Sequence, residues 1–213
     1  MHEVQSAEQV RLAYDATADE YAAAFRSTEP EQPVELAMVG HFAASLRDPR
    51  RVLDAGCGAG RFLPVLADLG CDVEGLDLSP GLVRNARDAH PGFVTRVGTL
   101  TDLPHESASF DGWFSWYSTI HSADQDLPDL LREAHRVLRP GGVALVAFQS
   151  GEGVEDLSAR YRRHGLTLLR YLRSLDGMAR ALISAGFTVT ARLERAPVGD
   201  LETGNQAVLV AAR

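Results

Sequence analysis

Lysine is missing from this chain: all 21 basic residues are arginines. Chemistry through a lysine amine is therefore excluded, and the bias itself reads as GC-rich coding. Cysteine is scarce, with only Cys57 and Cys71. Their spacing matches no metal-ligand pattern and neither a disulfide nor a metal is expected. No run approaches the roughly 20 apolar residues of a membrane span. The start, Met1 to Glu8, is polar and acidic where a leader would be basic and then apolar. The expectation is a cytoplasmic protein without a membrane anchor. Positive charge is also short, with a net charge of −8 and a pI near 5.3. That argues against a nucleic-acid partner gripped by its phosphates. What is present is 213 residues, 45% hydrophobic and 23% charged, as expected of one globular domain over 1–213.

Val10, Ala13, Tyr14, Thr17, Tyr21 and Phe25 recur at helical intervals, predicting a helix from Ser6 to Phe25. Pro30 and Pro33 end that pattern before a second helix over Val34 to Leu46. Strands and helices then alternate. Strands are predicted at Arg51–Ala55, Asp72–Asp77, Phe93–Val97, Phe110–Ser115 and Val143–Gln149. The helices between them fall near Arg61–Leu69, Pro80–Ala89 and Asp126–Val137, the second opened by Ser79 as N-cap. Arg139-Pro140-Gly141-Gly142 stops the third sharply. Ser150–Arg173, with Arg162, Arg163 and His164, reads as a loop with partial helix on the substrate side. A helix over Leu175–Ala185 follows, then Phe187–Leu193 and Ala207–Ala211 as an antiparallel hairpin with a polar Pro197–Asn205 connection. The fold class expected is α/β: a Rossmann-like, seven-stranded, mostly parallel sheet with a C-terminal antiparallel hairpin and helices on both faces. Two N-terminal helices, within 1–47, form a lid.

Chemistry concentrates between Arg51 and Asp77. A short apolar strand ends in Asp54, glycines alternate at 56, 58 and 60, and a second strand ends in Asp77. Dinucleotide sites use G-x-G-x-x-G and seat a pyrophosphate on the helix N-terminus. Here the sixth position is Arg61, and Asp54 would repel a pyrophosphate while suiting an ammonium. An NAD-dependent oxidoreductase is disfavoured on both counts.

Tyr14-Asp15 through Tyr21, Asp54 to Gly60, Gly75-Leu76-Asp77-Leu78-Ser79, Asp102-Leu103-Pro104 through Phe110-Asp111, Leu131 through Leu138-Arg139-Pro140-Gly141-Gly142 and Ala185-Gly186-Phe187 occur in this order. Their sequence resembles that of class I S-adenosylmethionine-dependent methyltransferases, within the small-molecule type 11 group. The resemblance implies S-adenosyl-L-methionine as cofactor, with Asp77 on the ribose hydroxyls, Asp54 at the ammonium end and Leu78 against the adenine. Tyr14, Tyr21, Gly56, Cys57, Gly58, Gly60, Arg61, Gly98, Thr99, Leu100, Ser115 and Trp116 complete the implied cofactor site. Thr99 stands where the group commonly has an aspartate for the adenine amino group, with Asp102 as a substitute if the loop register shifts.

The resemblance implies methyl transfer by in-line displacement to the O, N or C of a small molecule, which needs alignment more than acid–base help. His121, after the fourth strand, is the candidate base. Trp116, Tyr117 and His121 are candidate acceptor contacts, with Arg162 and His164 for an anionic acceptor or simply as a solvated face. The alternative is a sensor or partner subunit that binds the cofactor without transferring methyl. A homodimer is left open.

Overall fold

In a computed structural model, residues 4–199 and 202–213 are described. Met1–Glu3 of the polar start, and Asp200 and Leu201 of the Pro197–Asn205 connection, lie outside them. Helix α1, Ala7–Ala16, begins at a capping box in which Ser6 and Gln9 satisfy each other's backbone. The single helix expected from Ser6 to Phe25 is instead two, since α2 spans Ala18–Ala24. Thr17 leaves helical geometry, and its hydroxyl bonds the Ala13 carbonyl at 3.0 Å. A threonine hydroxyl competing for backbone groups is a sufficient local cause. Helix α3, Pro33–Ser45, starts on Pro33.

The sheet follows. Strands β1 (Arg51–Ala55), β2 (Asp72–Asp77), β3 (Val94–Val97), β4 (Phe110–Trp116) and β5 (Leu138–Ser150) are joined through α4 (Leu63–Asp68), α5 (Pro80–Ala89) and α6 (Leu127–Val137). As predicted, the Ser79 hydroxyl accepts the Leu82 amide and Pro80 takes the first helical turn. Helix α4 is shorter than expected, opening only at Leu63 after residues 60–62 complete the glycine turn. Strand β5 begins at Leu138, with a register shift against β4 before Val143. The segment expected as a loop with partial helix holds a separate antiparallel pair, β6 (Gly153–Asp156) and β7 (Leu169–Leu172), linked through 3-10 turns. Helix α7 (Leu175–Ser184) leads into the antiparallel strands β8 (Thr188–Arg195) and β9 (Asn205–Ala212).

The seven strands run β3-β2-β1-β4-β5-β9-β8, parallel from β3 to β5, with β9 antiparallel to β5 and β8. Alternate strand residues enter opposite cores. Leu53, Trp113, Ala144 and Leu209 pack beneath α6 and α7, whereas Val52, Phe114, Leu145 and Val210 pack beneath α3 and α4. A third, smaller cluster joins Ala13 of α1 to Tyr161 and Leu168 beside β7. Of the expected lid, α1 and α2 reach the site, while α3 packs on the sheet. No helix among the described residues is long and apolar enough to cross a membrane.

Candidate active site

The strand order reverses between β1 and β4, and open α/β sheets bind ligands beyond the carboxyl ends of strands at such a point. Two adjoining cavities lie there, one of about 80 Å³ and one of about 530 Å³. Gly56, Gly58 and Asp77 meet Tyr14, Tyr21, Trp116, Tyr117 and His121 in the smaller. Leu78, Thr99 and Leu100 line the larger, which shares His121.

Asp77 is held from both sides. Its Oδ2 accepts the Gly58 amide and its Oδ1 the Ser79 amide, each at 2.8 Å. A carboxylate offers about four lone-pair positions, so two bonds to hydroxyls are still available. Burial raises its pKa, while the backbone amides of Ser79 and Gly58 oppose the rise. Asp54 lies behind the glycine turn with 2% exposure, and its buried Oδ2 finds no partner among the described residues. Desolvation, then the Asp77 charge, push it up to about 8, with Arg61 opposing. Burial thus favours the protonated form of Asp54.

The glycines have their own reasons. Gly56 sits at φ 85°, and a Cβ there would lie 2.1 Å from the Ser118 Cβ. Ser118 reaches this point by donating to the Ala55 carbonyl at 2.6 Å. Gly58, at φ 56°, faces the Tyr21 ring. The turn thus receives protein from β4 and α2 as well as shaping a cavity wall.

Several expected cofactor residues act from behind the wall. Cys57 is buried with its Sγ against Gly75, and burial pushes its thiol up. Gly60 faces Leu63 and His90, and Gly98 packs over Leu76. Ser115 shares a hydroxyl contact with Ser118. Arg61 turns to the N-terminal segment, pairing with Glu31 at 2.5 Å and lying over the rings of Phe25 and Phe62. Thr99 bonds Thr101 through its hydroxyl and bridges Asp102 through the backbone. Asp102 is exposed and lines neither cavity, so the register shift that would bring it in does not occur.

The opposite wall is built by the loop after β4. Trp116 stacks on Phe114 with ring centroids 5.7 Å apart. Tyr117 takes φ 56°, and its hydroxyl donates to Gln206 at 2.7 Å. Nearby Glu35, fully buried, is neutralised by Arg195 at 3.0 Å. His121 is 7% exposed, and desolvation lowers its pKa to about 4. Its turn is braced by Arg173, whose guanidinium donates to the carbonyls of Thr119 and Ser122 and pairs with Asp124. Arg162 and His164 are exposed and line neither cavity. Sequence reasoning missed Ser118, Val10 and Gln5; no local pattern marks residues whose role comes from distant segments.

Residues 52–142 match the family model of a methyltransferase domain. The malonyl-[acyl-carrier protein] O-methyltransferase of Salmonella typhimurium is 35% identical over 133 residues, covering 60% of this chain and 51% of that protein. The chain spans about half the length of the curated relatives it matches. Among solved structures, an S-adenosylmethionine-dependent methyltransferase from Mesorhizobium loti aligns with TM-score 0.65 at 23% identity, over 81% of this chain and 96% of that one. The 1,6-didemethyltoxoflavin-N1-methyltransferase of Burkholderia thailandensis aligns with TM-score 0.71 at 19% identity, over 100% of this chain and 92% of its own. Those two likenesses establish the Rossmann-like fold, and the matched domain carries the glycine turn, Asp54 and Asp77. Residues 52–142 thus match a methyltransferase domain, within a chain whose fold is Rossmann-like.

Proposed function

We propose that the protein is a methyltransferase that moves a methyl group from S-adenosylmethionine to the O, N or C of a small-molecule acceptor. One observation carries this reading: the glycine turn and Asp77 share a cavity with the aromatic set Tyr14, Trp116, Tyr117 and His121. The residues present fit the cofactor. Asp54 offers a buried carboxylate oxygen without a partner among the described residues, and Asp77 keeps acceptor capacity beyond its two amide bonds. When bound, S-adenosylmethionine supplies a methyl group activated by a sulfonium.

In this reading Asp77 takes the ribose hydroxyls, Asp54 the ammonium, and Leu78, Thr99 and Leu100 the adenine. Gly56, Gly58 and Tyr21 shape the turn, while Cys57, Gly60, Arg61, Gly98 and Ser115 hold it from behind. Trp116, Tyr117 and His121 face the acceptor and exclude water, and Arg162 and His164 have no part. The whole chain acts as one domain, α1, α2 and the β6–β7 segment covering the site. A cytoplasmic location accords with two free thiols.

Titration calorimetry with S-adenosylhomocysteine tests the binding step, and absence of binding would overturn the proposal. Mass detection of a methylated product across phenols, amines, carboxylates and a malonyl thioester, the acceptor class in the Salmonella relative's name, tests transfer. Light scattering decides the homodimer.

A further inference from the structure

We propose that Tyr14 relays the acceptor's proton to His121, and that the acceptor group is a phenolic or enolic hydroxyl. This rests on the methyltransferase reading above. His121 Nδ1 lies 2.7 Å from the Leu169 carbonyl oxygen, which can only accept, so Nδ1 carries the hydrogen. The lone pair is therefore on Nε2, and there the Tyr14 hydroxyl donates at 2.8 Å. The basic nitrogen of the imidazole is thus covered by a phenol that itself lines the cavity. An acceptor reaches the base through Tyr14.

The arrangement is fixed in place. The Gln5 side chain donates to the His121 and Leu169 carbonyls, both at 3.3 Å, and accepts the Leu169 amide at 2.6 Å. Arg173 braces the turn from the other side. Around the ring, desolvation first and then Arg170 of β7 disfavour the imidazolium, while the bond to the Leu169 carbonyl favours it. The group that faces Nε2 is the neutral phenol of Tyr14, and the carboxylates nearest the cavity belong to Asp77, Asp126 and Asp129.

The chemistry of the acceptor follows from the walls. Among the described residues neither cavity is lined by an arginine, and acidic Asp77, Asp126 and Asp129 line them instead. A phosphate or carboxylate would find no cationic partner among the described residues. Tyr14, Tyr21, Trp116 and Tyr117 offer ring faces and edges for a planar conjugated ligand. Proton transfer is efficient between groups of similar acidity, and a relay through a phenol matches a phenol or enol far better than an aliphatic alcohol. The step balances. The acceptor's O–H proton passes to Tyr14 Oη, and the Tyr14 hydroxyl proton passes to His121 Nε2. An oxyanion and an imidazolium remain, and no oxidant or further reactant is needed.

The test uses 4-nitrophenol as probe, since its phenolate absorbs in the visible and its phenol does not. The wild-type complex with S-adenosylhomocysteine is expected to raise the phenolate fraction of bound probe about tenfold, one unit of acidity. Tyr14→Phe and His121→Asn, each saturated with S-adenosylhomocysteine, should lose that gain. A gain that persists in Tyr14→Phe would overturn the relay. A wild-type complex that leaves the probe un-ionised or unbound would overturn the acceptor class. Failure to bind S-adenosylhomocysteine would instead defeat the methyltransferase reading. Should a variant fail to fold, nitrogen-15 spectra of the wild-type imidazole decide: a protonated Nε2 in the resting protein, or an Nε2 signal unmoved by probe, would overturn the proposal.

Discussion

The carboxylate of Asp77 accepts the Gly58 amide at 2.8 Å, so the acid ending β2 holds the turn that follows β1. Its second oxygen does the same for Ser79 at the head of α5. Asp77→Asn keeps one accepting oxygen but points a donor at one of two amides. It should weaken S-adenosylhomocysteine binding about 30-fold, near 2 kcal/mol of charge-assisted bonding. Asp77→Ala should weaken binding at least as much and also lower stability in urea by about 1 kcal/mol. Calorimetry showing wild-type affinity in both would place the ribose elsewhere.

Asp54 should make S-adenosylhomocysteine binding a proton-releasing event. Burial and the Asp77 charge raise it from 3.8 to about 8. Between those values the folded protein retains a proton that the unfolded chain has lost, so stability declines as pH rises through the window. An ammonium beside the carboxylate reverses the shift. At pH 7, S-adenosylhomocysteine should therefore release close to one proton, seen as binding enthalpies that differ between phosphate and Tris. Asp54→Asn should erase that difference, and a buffer-independent enthalpy in the wild type would show that Asp54 is already ionised.

Gly56 and Ser118 constrain each other. In Gly56→Ala the new methyl meets the Ser118 Cβ while the backbone stays at φ 85°. Overpacking and left-handed strain together should cost about 3 kcal/mol, a fall of about 10 °C in Tm for a chain of this size. Adding Ser118→Gly should recover only the steric share. Scanning calorimetry that finds complete recovery would show that the backbone strain costs nothing.

Arg61 and Glu31 form a pair with side chains 12% and 6% exposed. Removing one partner strands the other charge, so Arg61→Ala should cost about 3 kcal/mol. Arg61→Ala with Glu31→Gln should cost less than Arg61→Ala alone. A urea double-mutant cycle with additive effects would contradict the coupling.

What could be read from the chain was what is decided within a few residues. Ser79 and Pro80 announce α5 because capping is local chemistry. Asp54, Gly56, Gly58 and Asp77 were legible because one strand-turn-helix unit and its neighbour hold them all. The Thr17 break was invisible, since a hydroxyl turning back on Ala13 leaves the apolar spacing unchanged. The β6–β7 pair escaped because its strands are four residues each and depend on Gln5 and on a bridge between Ser150 and Arg173. Arg61 was read as a mismatch to a dinucleotide loop and as part of the cofactor site, and its pairing with Glu31 was not foreseen because Glu31 lies 30 residues upstream. Arg162 and His164 carried the right chemistry for an anion, but the turn that bears them points it into solvent.

The small cluster of Ala13, Tyr161 and Leu168 gives the protein a two-piece door with a single leaf. Gln5 latches the start of the chain to β7 through Leu169, and Val10 and Tyr14 rest on the same cluster. Helix α1 cannot swing outward alone without exposing that apolar contact to water. This one segment lines both cavities, and Val10 belongs to each. Amide exchange should report this as a common opening rate for Ala13 and Leu169; independent rates would split the leaf in two.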